Sequence, residues 1–185
     1  MIKAIYFCKI ICYNGTELYF TRIIVRFFKV KTVCFTGHRQ IFYDQREELL
    51  QVLQQEIEKQ ISEGAEVFRA GGALGFDTLA ALTVLRLKKK YPHIHLELIL
   101  PCPTQTANWA AEDVRFYEKI RKKADSYRYV SEFYYDGVLQ ARNNQLVDGS
   151  DVCIAYLQSS HGGSAYTSAR AIRQGLDFIN LADLI

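Results

Sequence analysis

The chain has 185 residues, of which 49% are hydrophobic and 23% are charged. It is therefore long enough to bury a core without disulfides or metals, and its composition is that of a soluble globular domain. The net charge of +3 is unevenly spread: residues 1–30 carry five basic residues and one acidic residue, and residues 31–185 carry 18 basic and 19 acidic residues. A body with a net charge of −1 offers no strong field to a polyanion, so we do not expect nucleic acid as the main partner.

Residues 1–30 are apolar but interrupted by charges such as Lys9 and Glu17. They therefore contain no membrane-spanning run, and they lack the h-region and cleavage site of a signal peptide. Asn14 and Gly15 form a turn signal between two β-rich runs, which predicts an N-terminal β-hairpin extension over residues 2–30. An apolar hairpin can pair edge to edge with a second chain, so a homo-oligomer is expected as one possibility.

The five cysteines form no CxxC pair, and most of them lie in apolar runs. This pattern indicates buried free thiols in a reducing compartment rather than a disulfide framework or a zinc site. We therefore expect a cytoplasmic protein that requires no metal and no cofactor. The cysteines are Cys8, Cys12, Cys34, Cys102 and Cys153.

From residue 31 onward, predicted strands and helices alternate. Asp44 and Glu47 predict a capping box for the first helix, whose buried stripe repeats every four residues from Leu49 to Ile61 before Gly64 ends it. The alternation predicts one α/β domain over residues 31–185, a Rossmann-like open parallel sheet with helices on both faces. Strands are predicted at residues 32–36, 66–70, 94–100, 129–131, 151–157 and 178–179, and later helices at 77–90, 107–124, 138–147 and 166–174.

Glycine-rich loops follow the predicted strands at the edge where open parallel sheets bind ligands. A glycine-rich turn that feeds a helix lets backbone N–H groups approach an anion, with help from the helix dipole. Two such turns at one sheet edge predict a site for a nucleotide or a nucleotide-derived small molecule. The predicted backbone ligands are Gly37, Gly71, Gly72, Gly75, Gly162 and Gly163.

Polar side chains in these loops have alternative roles. Arg39 is either a clamp for a phosphate or carboxylate or a surface arginine, and His38 either donates to a ligand or bonds to the backbone. Asp77 lies in the first turn of a predicted helix, where the helix dipole stabilises a carboxylate even without a ligand. A functional Asp77 would instead face the ribose hydroxyls of a ligand or hold the loop. It is also the only candidate for a catalytic carboxylate.

A second group of candidates lies in the C-terminal third of the chain. Arg142 and Asn143 open a predicted helix and can supply charge and hydrogen bonds to a ligand. Ser164 and Thr167 either donate hydroxyl hydrogen bonds to a phosphate or cap the last helix. Trp109 and a tyrosine-rich stretch at residues 127–135 either stack on a base or pack in the core.

His93, His95 and Glu97 alternate along one predicted strand and therefore share a face. That spacing can hold a metal, but the sequence offers no further ligand nearby. We therefore predict a surface face and no metal site.

At these loops the sequence resembles the YpsA-like family of the SLOG superfamily, which groups Smf/DprA-type and LOG-type Rossmann-like proteins. The resemblance covers about 150 residues from Lys31 onward and implies a Rossmann-like sheet with a pocket for nucleotides or for ligands related to NAD and ADP-ribose. It implies a cytoplasmic, bacterial protein. Our first hypothesis is that the domain binds its ligand as a sensor or regulator. The matching residues are Thr36 to Arg39, Gly72 to Asp77, Pro101 to Pro103 with Gln105 and Trp109, Arg142 with Asn143, Leu146 to Asp148, Ser150 with Asp151, Gly162 to Ser164 and Thr167.

Two departures from related families define the alternatives. LOG-type phosphoribohydrolases share Arg142 and the glycine loop, but their loop continues into a catalytic glutamate, whereas Ser168 and Ala169 follow Thr167 here. An N-glycosidase acting on nucleoside monophosphates would need a positioned carboxylate, which only Asp77 could supply. DprA-like binding of single-stranded DNA is the second alternative, and the near-neutral body lacks the basic groove that it requires.

Overall fold

The computed structural model describes residues 5–14, 17–26 and 30–185, within two compact units, Met1–Val30 and Lys31–Ile185. In the first unit, β1 (Ile5–Asn14) and β2 (Glu17–Arg26) pair antiparallel, with Asn14 opposite Glu17. This is the strand pairing expected of a hairpin, and the predicted turn residue Gly15 lies outside the described residues.

The second unit is built on a six-stranded sheet in the order β6-β5-β4-β3-β7-β8, with every neighbouring pair parallel. The predicted Rossmann-like α/β fold is confirmed. The strands are β3 (Lys31–Gly37), β4 (Ala65–Ala70), β5 (His95–Leu100), β6 (Ser126–Tyr129), β7 (Val152–Tyr156) and β8 (Asp177–Asn180). The helices are α1 (Arg46–Ser62), α2 (Phe76–Leu87), α3 (Ala111–Lys123), α4 (Val138–Val147) and α5 (Gly162–Arg173), followed by a 3₁₀ turn at Leu181–Asp183.

Alternating side chains of the strands form two cores, one on each face of the sheet. Val33 and Phe35 of β3 belong to the larger core, which also contains the predicted stripe of α1 and the apolar face of α2. Cys34, between them, belongs to the smaller core with Leu146 of α4 and Ala171 of α5. The sheet is therefore covered by α1 and α2 on one face and by α4 and α5 on the other.

The strand order reverses at β3, which lies between β4 and β7. Chain connections leave β3 and β7 toward opposite halves of the sheet, which opens a crevice at their carboxyl ends, the usual ligand position in such folds. Gly37 ends β3 and Tyr156 ends β7, and the two residues are partners in the ladder. The loops after these two strands therefore face each other across the crevice.

The predicted capping box at Asp44 and Glu47 is wrong. Helix α1 begins at Arg46 with Gln45 as its N-cap, and no side chain within the described residues caps it. The Gln45 Oε1 atom instead accepts hydrogen bonds from the Tyr156 hydroxyl at 2.7 Å and from the Gln158 side chain at 2.8 Å. The N-cap side chain thus bonds to residues that follow β7 and end it, and not to the amides of its own helix.

Four further boundaries differ from the prediction by three or more residues. Helix α2 ends at Leu87 rather than at Lys90. Residues 103–109 form successive turns, so α3 begins at Ala111 rather than at residue 107. Strand β6 ends at Tyr129, where a strand was predicted to begin. Helix α5 begins at Gly162, four residues before the predicted start. None of the helices in the described ranges is both long and apolar enough to cross a membrane.

Candidate functional site

A cavity of about 340 Å³, hereafter the central cavity, lies in the crevice at the carboxyl ends of β3 and β7. Its walls come from the end of β3, the loop before α2, one face of α4 and the first turn of α5. The lining residues are Phe35, Thr36, Gly37, His38, Arg39, Ala73, Asp77, Leu139, Arg142, Asn143, Leu146, His161, Gly162, Gly163 and Ser164.

The N-terminus of α5 opens onto the central cavity. The first amides of an α-helix have no acceptor within their own helix, and together they carry the positive end of the helix dipole. Gly162 has a φ of +89°, which follows from its turn out of the extended His161. A Cβ atom on Gly163 would meet Asn143 Nδ2 at 3.6 Å, an ordinary contact distance, so the space beside this turn is open.

The hydroxyl groups of this turn hold the helix in place. The Ser164 hydroxyl donates to the Gly37 carbonyl oxygen at 2.7 Å, which fastens α5 to the end of β3. The Thr167 hydroxyl donates to the Gly163 carbonyl oxygen at 2.7 Å, and Thr167 is buried behind the first turn. Both protons are therefore engaged with backbone carbonyls rather than directed at a ligand.

The loop between β4 and α2 is organised around Asp77. The Asp77 Oδ2 atom accepts hydrogen bonds from the amides of Gly71 at 3.1 Å and Ala73 at 3.3 Å. Here the structure differs from the predicted arrangement, because these two amides already donate to a carboxylate and are not free to receive a ligand anion. Of the two open alternatives, Asp77 takes the one in which it holds the loop.

Arg142 projects from the middle of α4, not from its opening turn as predicted, and locks this loop from the opposite side. Its Nη1 atom donates to the Gly71 carbonyl oxygen and lies 3.5 Å from Asp77 Oδ2. Burial raises the pKa of Asp77, with Arg142 and the loop amides opposing the rise, and burial lowers the pKa of Arg142, with Asp77 opposing that change. Both shifts have one cause, because burial penalises each charged form.

Arg142 also retains hydrogen-bonding capacity. Its Nε atom is buried and has no hydrogen-bond partner in the described part of the chain. A buried, unpaired donor of a guanidinium is costly, and the residue lines the cavity. This donor is therefore an unsatisfied buried group of the residue that holds the loop.

Arg39 and His38 lie at the mouth of the central cavity with different partners. The exposed Arg39 side chain has no hydrogen bond or ion pair among the residues described here, so its charge is available. The His38 Nε2 atom accepts a hydrogen bond from the Gln158 amide at 2.8 Å, and the His38 amide donates to Tyr156 at 3.1 Å. Of the two alternatives for His38, the structure shows the one in which the imidazole bonds to the backbone.

Gly37 and Gly75 are required where the loop after β3 packs on the start of α2. A Cβ atom on Gly75, whose φ is +76°, would lie 2.2 Å from the Arg39 carbonyl oxygen. A Cβ atom on Gly37 would lie 2.5 Å from the Phe76 ring. These glycines allow the loop after β3 to touch the start of α2, and this contact places Arg39 over the cavity.

Of the 13 predicted ligand-binding residues, all in the described part of the chain, nine line the central cavity and four do not. The four are Gly71, Gly72, Gly75 and Thr167. The other six lining residues, which were not among the predicted ligand-binding residues, are Phe35, Thr36, Ala73, Leu139, Leu146 and His161. Leu139 could have been found, because it lies three residues before Arg142 and so shares its helix face.

A second cavity of about 590 Å³, hereafter the adjoining cavity, shares four lining residues with the first. Its remaining wall comes from the turns at residues 101–109, from Leu74 and from Tyr134. The shared residues are Arg39, Ala73, Leu139 and Arg142.

The residues weighed as a metal site are engaged elsewhere. Glu97 pairs with Arg69 at 2.7 Å, and His95 Nδ1 lies 3.6 Å from Asp125. Over the described ranges, no group of three or more His, Cys, Asp or Glu side chains is arranged to hold a metal ion.

Comparison with known proteins identifies the family. Residues 33–177 match the YpsA family profile, described as the YspA SLOG family. The chain is 32% identical over 133 residues to the UPF0398 protein BH1768 of Halalkalibacterium halodurans, covering 70% of this chain and 68% of that protein. It is 30% identical over 131 residues to the SPbeta prophage-derived protein YoqJ of Bacillus subtilis, covering 64% of this chain and 75% of that protein.

Solved structures share the fold at lower identity. DNA processing protein A (DprA) of Streptococcus pneumoniae aligns with a TM-score of 0.57 and 20% identity, covering 81% of this chain and 50% of that one. DprA of Helicobacter pylori aligns with a TM-score of 0.52 and 22% identity, covering 79% of this chain and 62% of that one. This chain thus spans only part of each DprA. With the profile match over most of its length, the chain belongs to the YpsA family of SLOG proteins.

Proposed function

We propose that this protein binds a nucleotide or a nucleotide-derived ligand, with a phosphate group of the ligand seated on the first turn of α5 in the central cavity. The observation that carries the proposal is the open turn at Gly162, Gly163 and Ser164, which lines the same cavity as Arg39. Unlike the loop at Gly71, this turn has no carboxylate placed on its amides by any interaction found in the described residues.

The charges around the central cavity suit a phosphate monoester. Arg39 and Arg142 contribute two positive charges, Asp77 contributes one negative charge, and the helix terminus adds about half a positive charge. The surplus of about +1.5 matches the charge of about −1.5 to −2 that a phosphate monoester carries at neutral pH. Arg39 also lowers the pKa of Arg142, after the larger effects of burial and of Asp77, so a bound anion would relieve repulsion between the two guanidinium groups.

The role proposed is that of a sensor or regulator in the cytoplasm. The cysteines that the structure describes, Cys34, Cys102 and Cys153, are buried free thiols, which suits a reducing compartment. Asp77 is tied to the loop and to Arg142, which argues against a role as the carboxylate of an N-glycosidase. Release of free base from AMP or NAD by the purified protein would overturn this part of the proposal.

Calorimetric titration with ribose 5-phosphate, ADP-ribose and inorganic phosphate tests the site. We expect Gly163→Glu to abolish binding, because it places a carboxylate where the phosphate lies. The matched control Ala169→Glu adds the same charge to the exposed face of α5 and should bind as the parent does. Equal affinity of the parent and Gly163→Glu, or failure of the parent to bind any probe at millimolar concentration, contradicts the proposal.

Arg39 provides a second test with its own control. Arg39→Ala should weaken binding of ribose 5-phosphate about tenfold or more, because it removes a charge-assisted contact. Arg173→Ala removes an exposed arginine from the far end of α5 and should leave the affinity unchanged. A similar loss in both variants would mean that Arg39 acts only through net charge.

Single-stranded nucleic acid is a second candidate, favoured by one observation. Phe133, Tyr134 and Tyr135 are consecutive and exposed, at 75%, 61% and 47%, and stacked aromatics are how proteins hold unpaired bases. The DprA of H. pylori, which shares the fold, binds single-stranded DNA. Fluorescence anisotropy of a labelled 20-nucleotide strand at 150 mM salt tests this: binding that Phe133→Ala and Tyr135→Ala weaken supports it, and no change in anisotropy excludes it.

A further inference from the structure

The adjoining cavity differs from the central cavity in its chemistry. The central cavity is bordered by glycine backbone and charged groups, whereas the adjoining cavity is bordered by Pro101, Cys102, Trp109 and Tyr134. The two are in contact along Arg39, Ala73, Leu139 and Arg142, which line both. A ligand that spans them needs an anionic end and a flat apolar end.

Trp109 packs against the main core through Tyr117. Its ring packs edge-on against Tyr117, with ring centroids 5.6 Å apart and planes at 80°. Tyr117 is buried in the main core, whereas Trp109 is only partly buried, so part of the indole is left for the cavity. A partly exposed aromatic ring beside an open space is suited to stacking on a planar ring.

Side-chain amides lie on the same wall. The Gln105 Nε2 atom donates to the Gly72 carbonyl oxygen at 3.4 Å, which turns the amide of Gln105 so that its oxygen remains an acceptor. Asn108 is exposed on the same turns and lines the same cavity. Asparagine and glutamine amides pair with the donor and acceptor edges of bases, most typically of adenine.

We propose that the adjoining cavity is a base subsite, which holds the nucleobase of a free nucleoside 5′-phosphate while the phosphate occupies the central cavity. This inference rests on the function proposed above. The walls follow the order of the ligand: an anion site with Arg39 and Arg142 at its border, then Leu139 beside the sugar, then an aromatic wall with amides for the base. Together the two cavities fall in the size range of small-molecule sites.

The test compares AMP with ribose 5-phosphate, which has the phosphate and sugar but no base. In the parent, AMP should bind at least tenfold more tightly than ribose 5-phosphate. Trp109→Ala and Tyr134→Ala should each weaken AMP binding by on the order of tenfold, the usual cost of losing one base–aromatic stack. Both variants should bind ribose 5-phosphate within twofold of the parent.

Phe133→Ala is the matched control, because Phe133 adjoins Tyr134, is more exposed, and lines neither cavity. It should bind AMP as the parent does. Since Tyr134 is 61% exposed, Tyr134→Ala keeps the test valid even if Trp109→Ala fails to fold. Trp109→Phe, which retains an aromatic ring, should recover part of the AMP affinity.

The outcomes separate the two proposals. If ribose 5-phosphate and AMP bind equally, or if Tyr134→Ala leaves AMP binding intact, the base subsite is refuted while the phosphate site stands. If neither probe binds the parent, the function proposed above fails and the subsite fails with it. If a single-stranded oligonucleotide binds more tightly than AMP and Phe133→Ala weakens it, the aromatic wall belongs to a nucleic-acid surface and the inference is overturned.

Discussion

Replacement of Asp77 by alanine tests the organisation of the loop between β4 and α2. The Asp77 Oδ2 atom accepts hydrogen bonds from the amides of Gly71 and Ala73. The Arg142 Nη1 atom lies 3.5 Å from the same oxygen. Asp77→Ala would leave a buried guanidinium without its counter-charge and two amides without acceptors. Removing one partner of a buried ion pair typically costs about 3–5 kcal/mol.

The lower end of that range is expected, because Arg142 keeps its hydrogen bond to the Gly71 carbonyl. For a folding unit of this size, a loss of about 3 kcal/mol lowers the melting temperature by about 6–12 °C. Urea unfolding followed by the fluorescence of Trp109, the single tryptophan, measures the free energy of unfolding directly. Asp136→Ala, at an exposed carboxylate, is the control and should change it by no more than about 0.5 kcal/mol.

A double variant separates the ion pair from the hydrogen bonds. Asp77→Ala combined with Arg142→Leu should be more stable than the sum of the single losses predicts, because neither charge is then left alone, with a coupling of about 0.5–3 kcal/mol. An Asp77→Ala protein as stable as the parent, or more stable, would refute this reasoning. The Asp77 carboxylate would then serve a ligand and not the stability of the fold, and the hydrolase alternative would regain support.

Gly75→Ala should cost at least about 2 kcal/mol in urea unfolding, because it combines a φ of +76° with a clash against the Arg39 carbonyl oxygen. Gly163→Ala should be neutral or stabilising by up to about 1 kcal/mol, because its Cβ has room within a helix. Burial raises the pKa of Asp125, but the Lys88 ammonium and a backbone amide outweigh it and leave the pKa below its ordinary value. The stabilisation from Asp125 is therefore present above about pH 4 and is lost as the pH falls through the lower folded-state pKa, so the stability difference between Asp125→Asn and the parent should shrink in acid.

The fold was predictable because its signals are local. The stripe from Leu49 to Ile61 repeats every four residues, and its apolar members are buried as that pattern indicates. Short apolar strands alternate with such helices, and few arrangements satisfy that order. The same alternation predicted that the glycine-rich loops lie at the carboxyl ends of the strands.

The details of the site depend on contacts between residues far apart in the sequence. Asp77 contacts Arg142, which is 65 residues away in the sequence. Together they occupy polar groups of the loop between β4 and α2. The start of α5 was missed because Gly162 and Gly163 disfavour helices, whereas the Ser164 bond to Gly37, 127 residues away, fixes the first turn against β3. No local pattern in the sequence reports either contact.

We propose that a ligand phosphate lies on the first turn of α5 and not on the loop held by Asp77. A ¹H–¹⁵N correlation titration of the labelled protein with ribose 5-phosphate tests it most directly. We expect the largest shifts at the amides of Gly163 and Ser164, with the amides of Gly71 and Ala73 little changed. Shifts centred on Gly71 and Ala73, with those of α5 unmoved, would contradict it.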